Sequence, residues 1–218
     1  MNDTSDIVEL IVGSVIDMGI QEPRSLVAIS GPPAAGKSTL ATAVAAGLTE
    51  AGTSAVVVPM DGFHLDNRVL DSRGLRHCKG APETFDSDGF LNAMRRLFSE
   101  EEVLLPDFDR ARDVSVAGAI SVERHHRVAV VEGNYLCSTL PVWRKLRCLW
   151  AMSVHLDLPP PILHARLVQR WKWYGLTPEA AEWRASGNDS RNADTVRRTL
   201  GHPDLVIGPC GAVSRRAG

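Results

Sequence analysis

The chain has 218 residues, of which 24 are Lys or Arg and 26 are Asp or Glu, and its formal net charge is -2. This length suits one α/β domain over residues 1–218 better than two large domains, and a composition that is 44% hydrophobic and 23% charged argues against wholesale disorder. The near-neutral charge argues against long-range attraction to nucleic acid or to an anionic membrane, so any anion has to be bound locally.

The first part of the chain predicts alternating helices and strands. Apolar residues at helical spacing indicate an amphipathic helix over residues 6–18. The segment 25–29 (SLVAI) is typical of a buried strand, and a turn rich in Gly and Pro follows it. The Ala-rich segment 37–50 then predicts a helix, and the apolar segment 55–58 predicts a second strand that ends at Pro59.

The middle of the chain gives weaker signals. Residues 62–86 are polar, rich in Gly and weakly periodic, which predicts a long functional loop or a small subdomain. Ser87 can cap a helix that carries apolar residues up to Phe98. Residues 103–127 mix short strand-like pieces with turn residues.

The last part again alternates strands with helices. Strands are predicted at 127–131 (RVAVV), 153–156 and 205–207, and helices at 161–174, from Thr177 onwards and at 192–200. Strands of nearly continuous apolar character between helices indicate a parallel sheet that is covered on both faces. We therefore predict an α/β fold.

A phosphate-binding motif is the strongest signal in the sequence. The segment 31–39 (GPPAAGKST) satisfies the pattern G-x-x-x-x-G-K-[ST] between a predicted strand and a predicted helix. Such a loop wraps its backbone N–H groups around phosphate oxygens, Lys37 adds positive charge toward the β- and γ-phosphates, and the Ser38 hydroxyl can bind Mg²⁺. The predicted nucleotide-binding residues are Gly31, Pro32, Pro33, Ala34, Ala35, Gly36, Lys37, Ser38 and Thr39.

Three other nucleotide-binding classes are not supported. None of the four lysines follows an Asn, so the Asn-Lys-x-Asp motif expected of a GTPase is absent from the sequence. The sequence also contains no G-x-G-x-x-G, which argues against the protein-kinase and dinucleotide-binding classes.

Acidic residues follow two of the predicted strands. Asp61 lies just beyond the strand 55–58, and Glu132 follows the strand 127–131. In a parallel sheet both positions lie beside the phosphate loop, so Asp61 is the candidate catalytic base and Glu132, with Ser38, a candidate for the Mg²⁺ site. A turn-capping Asp and a solvent-facing Glu are the alternatives.

Two arginines and a set of polar residues complete the candidate site. Arg166 and Arg170 are four residues apart on one predicted helix, so both can reach the same phosphates from a helical lid, unless they form an ordinary solvated face. The lid and Lys37 would stabilise the transferring charge and exclude water. The candidate acceptor-binding residues are His64, Arg76, Lys79, Glu83, Asp86, Asp107, Arg110, Asn134 and Tyr135.

The cellular setting follows from three features. The four cysteines are far apart without a C-x-x-C pair, the first residues are acidic, and no apolar run approaches the roughly 20 residues that span a bilayer. We expect a cytoplasmic monomer or homodimer with a small-molecule acceptor and without nucleic acid or membrane partners.

The motifs together resemble the P-loop kinase family of uridine kinase, phosphoribulokinase and bacterial pantothenate kinase. The carriers of the resemblance are GPPAAGKST, VPMDGFH, NRVLDSRGLRHCKGAPETFD, LPDFDR, VAVVEGNYL and HARLVQRW, with Asn188, Asp189 and Asn192 further on. The whole chain is also similar to bacterial proteins named fructose-transport-system kinases.

The resemblance implies a three-layer P-loop fold with a helical lid, and transfer of the γ-phosphoryl group of ATP to a hydroxyl with the help of Mg²⁺. It implies that Asp61 is the base, that Lys37 and Ser38 serve the phosphates and Mg²⁺, that Glu132 is the strand-end acid and that Arg166 and Arg170 are lid cations. Residues 62–112 would bind the acceptor, which is a sugar, a nucleoside or a pantothenate-like molecule, and 161–192 would form the lid. A nucleotide-gated binding module without transfer and a nucleoside-monophosphate kinase are the alternatives.

Overall fold

The computed structural model describes residues 4–215. Its α-helices are α1 (Thr4–Asp17), α2 (Lys37–Glu50), α3 (Asn67–Ser72), α4 (Ser87–Ser99), α5 (Pro160–Trp173), α6 (Pro178–Arg184) and α7 (Ser190–Arg198). Its strands are β1 (Ser25–Ser30), β2 (Ala55–Pro59), β3 (Val103–Asp109), β4 (Val114–Val122), β5 (Val128–Gly133), β6 (Met152–Leu156), β7 (Leu205–Ile207) and β8 (Val213–Arg215). Over these residues, no helix is both long and apolar enough to cross a membrane.

A six-stranded sheet forms the centre of the molecule. Its order is β2-β5-β1-β6-β7-β8, and all neighbours pair in parallel except β7 and β8. Every residue of β1, β5 and β6 is buried, as the mostly apolar sequences of β1 and β5 predict. The predicted α/β fold with a parallel sheet is confirmed.

Helices cover both faces of this sheet because successive strand residues point to opposite sides. Val27 and Ile29 of β1 belong to the core that α1, α2 and α5 complete. Leu26 and Ala28 belong to a second core on the other face, which contains α4 and the base of the β3–β4 pair. The carboxyl ends of the parallel strands are therefore fixed between two apolar layers, and they position the loops that follow them.

The stretch 103–127, for which the sequence indicates only short strand-like pieces and turns, contains an antiparallel hairpin. Strands β3 and β4 pair with each other outside the main sheet, and their register shifts between Leu105 and Asp107. Only one side of the hairpin is buried, and β4 is mostly exposed, so its sequence lacks the continuous apolar run that marks β1 and β5. The hairpin packs against the short turn Met60–Phe63 that follows β2.

Arg24 connects the base of the hairpin to the start of β1 through hydrogen bonds. Its side chain is fully buried at the start of β1, and it donates hydrogen bonds of 2.7 to 3.3 Å to the carbonyl oxygens of Leu97, Glu100, Glu101, Glu123 and His126. One guanidinium thereby joins the end of α4 to both ends of the hairpin.

The lid helices differ from the prediction at one boundary. The helix predicted at 192–200 begins earlier, at Ser190, because α6 continues through a π-helical turn at Ala185–Asp189 directly into α7. Single π-turns of this kind are often found at functional sites.

Candidate active site

The phosphate loop joins the end of β1 to the start of α2. Gly36 has a φ of 100° and Ala34 a φ of 63°, so the loop turns twice through the left-handed region. A side chain at Gly31 would place its Cβ 2.9 Å from the carbonyl oxygen of Leu156. The loop therefore needs glycine at its first position, where it passes closely over the end of β6.

Two loop side chains have internal partners. The Lys37 ammonium donates to the carbonyl oxygen of Pro32 at 3.0 Å, and the Ser38 hydroxyl donates to Oε1 of Glu132 at 2.9 Å. Burial lowers the pKa of Lys37, and the charges of Glu132 and Asp61 act against that change. Burial likewise raises the pKa of Glu132, and the Lys37 charge opposes the rise. The three charged groups thus lie within one electrostatic environment.

Asp61 lies in the turn Met60–Phe63 just beyond β2, and Glu132 lies in β5, the strand next to β2. The Asp61 carboxylate forms an ion pair with Arg110 from the turn of the β3–β4 hairpin. Burial would raise the pKa of Asp61, but the charges of His64, Arg110 and Lys37 together hold it below its ordinary value. Asp61 is therefore ionised at neutral pH.

These residues open into one cleft of about 830 Å³. On the side away from the phosphate loop, its wall contains the rings of His64, Phe85 and Phe108, with His64 4.1 Å from Phe85 and 4.7 Å from Phe108 between ring centroids. Lys79 Nζ lies 4.9 Å from the centre of the Phe108 ring. Such a wall can hold a small molecule that has both apolar and polar edges.

Lys79 is held in place by the turn of the hairpin. Its ammonium donates to Oδ1 of Asp113 at 2.7 Å and to Oδ1 of Asn67 at 2.8 Å. Arg76, which also lines the cleft, forms ion pairs with Asp71 at 3.1 Å and with Asp113 at 3.9 Å. The predicted residues His64, Arg76, Lys79, Arg110 and Asn134 all line the cleft.

Four other predicted acceptor residues do not line the cleft. Tyr135 is buried, and its hydroxyl donates to the carbonyl oxygen of Gly80 at 2.8 Å. Asp86 caps α4 by accepting from the Gly89 N–H, and Asp107 accepts from the N–H of Phe108. Glu83 faces a neighbouring groove. Local backbone contacts therefore account for the positions of Asp86 and Asp107.

The two predicted lid arginines have different positions. Arg170 lines the cleft, and its charge lowers the pKa of Lys37. Arg166 instead lies against the phosphate loop and donates to the carbonyl oxygen of Ala35 at 3.2 Å and toward that of Ala34 at 3.5 Å. One turn of α5 thus separates a residue that faces the cleft from one that supports the loop.

Residues 171–192 contribute further cleft residues that are not among the site residues predicted from the sequence. The Trp171 indole donates to Oδ2 of Asp189 at 2.6 Å, and the Arg184 guanidinium lies 4.1 Å from the centre of the Trp171 ring. Asn188 donates to the carbonyl oxygen of Lys79 at 2.7 Å and so joins the π-helical turn to the segment that carries Lys79. In the sequence, the family resemblance is the one signal that points to Asn188, Asp189 and Asn192.

Comparison with known proteins gives several extensive matches, although no family model matches the chain. A Schizosaccharomyces pombe protein provisionally named a uridine kinase is 33% identical over 196 residues, which cover 85% of this chain and 83% of that protein. An Aspergillus versicolor protein named an ATP-dependent kinase-like protein is 32% identical over 161 residues, which cover 68% of this chain and 94% of that protein.

A solved structure has higher sequence identity. The crystal structure of a Silicibacter sp. TM1040 protein, provisionally named a fructose transport system kinase, is 48% identical with a TM-score of 0.89. The alignment covers 91% of this chain and 98% of that one. Sequence identity of this extent over nearly the whole of both chains establishes a common family.

Proposed function

Because the chain belongs to the P-loop kinase family of these relatives, it is a phosphotransferase, and we propose that it transfers the γ-phosphoryl group of ATP to a hydroxyl group of a small molecule. The family membership confirms the resemblance that the motifs indicated. In this proposal residues 62–112 bind the acceptor and residues 161–192 form the lid.

The observation that carries the proposal is the position of Asp61. Its strand, β2, lies beside β5, and β5 lies beside β1, so Asp61, Glu132 and the phosphate loop occupy neighbouring strand ends. All three open into the same cleft. Phosphoryl transfer to an alcohol needs a carboxylate within reach of the hydroxyl proton and cations around the γ-phosphate, and this edge of the sheet provides both.

The Mg²⁺ site in this proposal consists of Ser38 and Glu132. Their side-chain oxygens are in contact at the end of the phosphate loop, and a hydroxyl and a carboxylate are ligands that Mg²⁺ accepts alongside phosphate oxygens and water. Bound there, the ion would neutralise charge on the phosphates. The Ser38–Glu132 hydrogen bond already holds the two oxygen ligands next to each other.

The protein residues have separate tasks in the transfer. Lys37 leaves the Pro32 carbonyl and binds the β- and γ-phosphates, while Arg170 adds positive charge from the lid. Asp61 accepts the proton of the acceptor hydroxyl as its oxygen bonds to the γ-phosphorus, the bond from that phosphorus to the bridging oxygen breaks, and ADP leaves. The lid covers the cleft and excludes the water that would otherwise hydrolyse ATP.

The test is a coupled ADP-release assay with ATP and Mg²⁺ against nucleosides, pantothenate, sugars and sugar phosphates. With an active acceptor, Asp61→Asn should lower turnover by about 10²-fold or more and leave ATP binding nearly unchanged. Asp88→Asn makes the same change at an exposed residue of α4 outside the cleft and should behave as wild type. Lys37→Ala provides the blank because it removes the phosphate-binding ammonium.

Three results would contradict parts of the proposal. Wild-type turnover in Asp61→Asn would remove Asp61 from the role of base. A product with a new phosphoanhydride would show that the acceptor group is a phosphate and not a hydroxyl. ADP release equal to that of Lys37→Ala for every acceptor, with ATP still binding, would favour a nucleotide-gated binding module.

A further inference from the structure

Arg110 forms an ion pair with Asp61, the proposed base. Arg110 donates to Asp61 through Nη2, and among residues 4–215 its other N–H groups have no hydrogen-bond partner. The side chain lines the cleft and is 45% exposed. Arg110 therefore has unused donors in the cleft that is proposed to hold the acceptor.

Hydrogen bonds at Asp109 and Asp113 fix the turn that carries Arg110. Asp113 has a φ of 56° and accepts hydrogen bonds from Lys79 and from the Asn67 side chain. Asp109 accepts from the backbone N–H of Arg112 at 3.0 Å. With its turn held at both ends, Arg110 can change partners by side-chain rotation without movement of the hairpin.

The cations at the acceptor end of the cleft have carboxylate partners. These cations are Arg76, Lys79 and Arg110. Lys79 is already bound to Asp113 and Asn67, and Arg76 is shared between Asp71 and Asp113. Arg110 differs from the other two because its ion-pair partner, Asp61, is the group that has to accept the substrate proton.

We propose that the acceptor of this kinase carries an anionic group, a carboxylate or a phosphate, beside the hydroxyl that is phosphorylated, and that this group takes Arg110 from Asp61. The inference depends on the proposed function, since it assigns the acceptor class for the same site. An anion can bind the guanidinium through two parallel N–H donors, and the exchange leaves the Asp61 carboxylate free for the hydroxyl.

A neutral acceptor cannot make the same exchange. To free Asp61 it would have to break the charge-assisted ion pair and leave the Arg110 guanidinium, whose side chain is 45% exposed, with water in place of the carboxylate. Selection between anionic and neutral acceptors therefore follows from the ion pair itself.

The experiment compares pairs of acceptors in which the anionic group of one member is replaced by a neutral group that carries a hydroxyl in the other. Glycerate with glycerol, and pantothenate with panthenol, test a carboxylate. Ribose 5-phosphate with ribose, and fructose 1-phosphate with fructose, test a phosphate. Wild-type protein should have a kcat/KM about 10- to 100-fold higher for the anionic member of at least one pair, which corresponds to one charge-assisted interaction. The arm that responds identifies the anion.

Variants of the hairpin turn test whether Arg110 is responsible. Arg110→Ala should raise KM for the anionic acceptor and lower its advantage over the neutral partner at least tenfold, and Arg110→Lys should restore part of that advantage. Arg112→Ala removes an arginine from the same turn whose side chain is 71% exposed, and it should keep the wild-type ratio. Equal thermal unfolding of the three variants shows that the turn is intact.

The outcomes separate this inference from the proposed function. If the protein phosphorylates the neutral members best, or if Arg110→Ala keeps the full preference for the anion, the ion-pair exchange is refuted and the kinase function stands. If no acceptor raises ADP release above the Lys37→Ala blank, the proposed function fails, and the exchange fails with it.

Discussion

His155 predicts a measurable loss of stability in mild acid. It lies in β6 beside Ser30 of β1, its side chain is 2% exposed, and its Nδ1 has no hydrogen-bond partner in the described structure. Burial lowers its pKa from 6.5 to about 4, and the charges of Lys37 and Arg197 act in the same direction while Asp157 opposes them. The folded protein therefore keeps the ring neutral at a pH where the unfolded chain has protonated it.

The sign and the size of the effect follow from that difference. Because the pKa is lower in the folded state, the unfolded chain gains a proton first as the pH falls, and stability is lost from about pH 6.5 down to about pH 4. At 1.36 kcal/mol per pKa unit, His155 accounts for a loss of about 2 to 3 kcal/mol in the free energy of unfolding between about pH 7.5 and about pH 4.5.

The assay is urea unfolding followed by circular dichroism at several pH values, for wild type, His155→Gln and His77→Gln. His77 is exposed, so its variant controls for the loss of one histidine outside the core. His155→Gln should flatten that slope by the stated amount. His64 and His126, whose pKa values burial also lowers, contribute equally in all three proteins. An unchanged slope in His155→Gln would refute the reasoning.

Two substitutions test the contacts that fix the hairpin. Arg24→Met removes the donor from five backbone carbonyl groups, one of them buried and four partly buried, and should lower the free energy of unfolding by about 3 kcal/mol. The exposed Arg124→Met should lower it by less than about 1 kcal/mol, and equal urea midpoints would contradict this. Gly62→Ala would place a Cβ 2.6 Å from the carbonyl carbon of Pro106, where it would overlap the carbonyl oxygen. The hairpin should then separate from the turn after β2. We expect kcat/KM to fall about 10²-fold, with ATP binding retained. Gly13→Ala, which meets no atom within 4 Å, is its control, and an active Gly62→Ala would show that the close contact is unnecessary.

The parts of the fold that were predictable from the sequence are those with a strong local signal. Strands β1 and β5 are buried on both faces, so their sequences are mostly apolar. The motif 31–39 predicts a phosphate-binding loop between a strand and a helix because its glycines and its lysine have fixed spacings. Asp61 and Glu132 could be placed because the parallel sheet brings strand ends together.

The remaining parts depend on contacts between distant segments. Strand β4 is mostly exposed, so only its pairing with β3 defines it. Trp171 and Asn188 reach the cleft through the packing of the lid helices, and neither residue type marks a phosphate or acceptor site by itself. Arg24 is a charged residue in the core, which residue type alone would place at the surface.

The aromatic wall of the cleft limits how this protein can change its substrate in evolution. Phe85 forms edge contacts with Tyr135 and Trp143, which belong to the same apolar core as Leu26 of the central strand. A new side chain on that wall would alter recognition and folding together. The exposed turn that carries Arg110 has no such double role, so related enzymes with different acceptors should differ first at this turn.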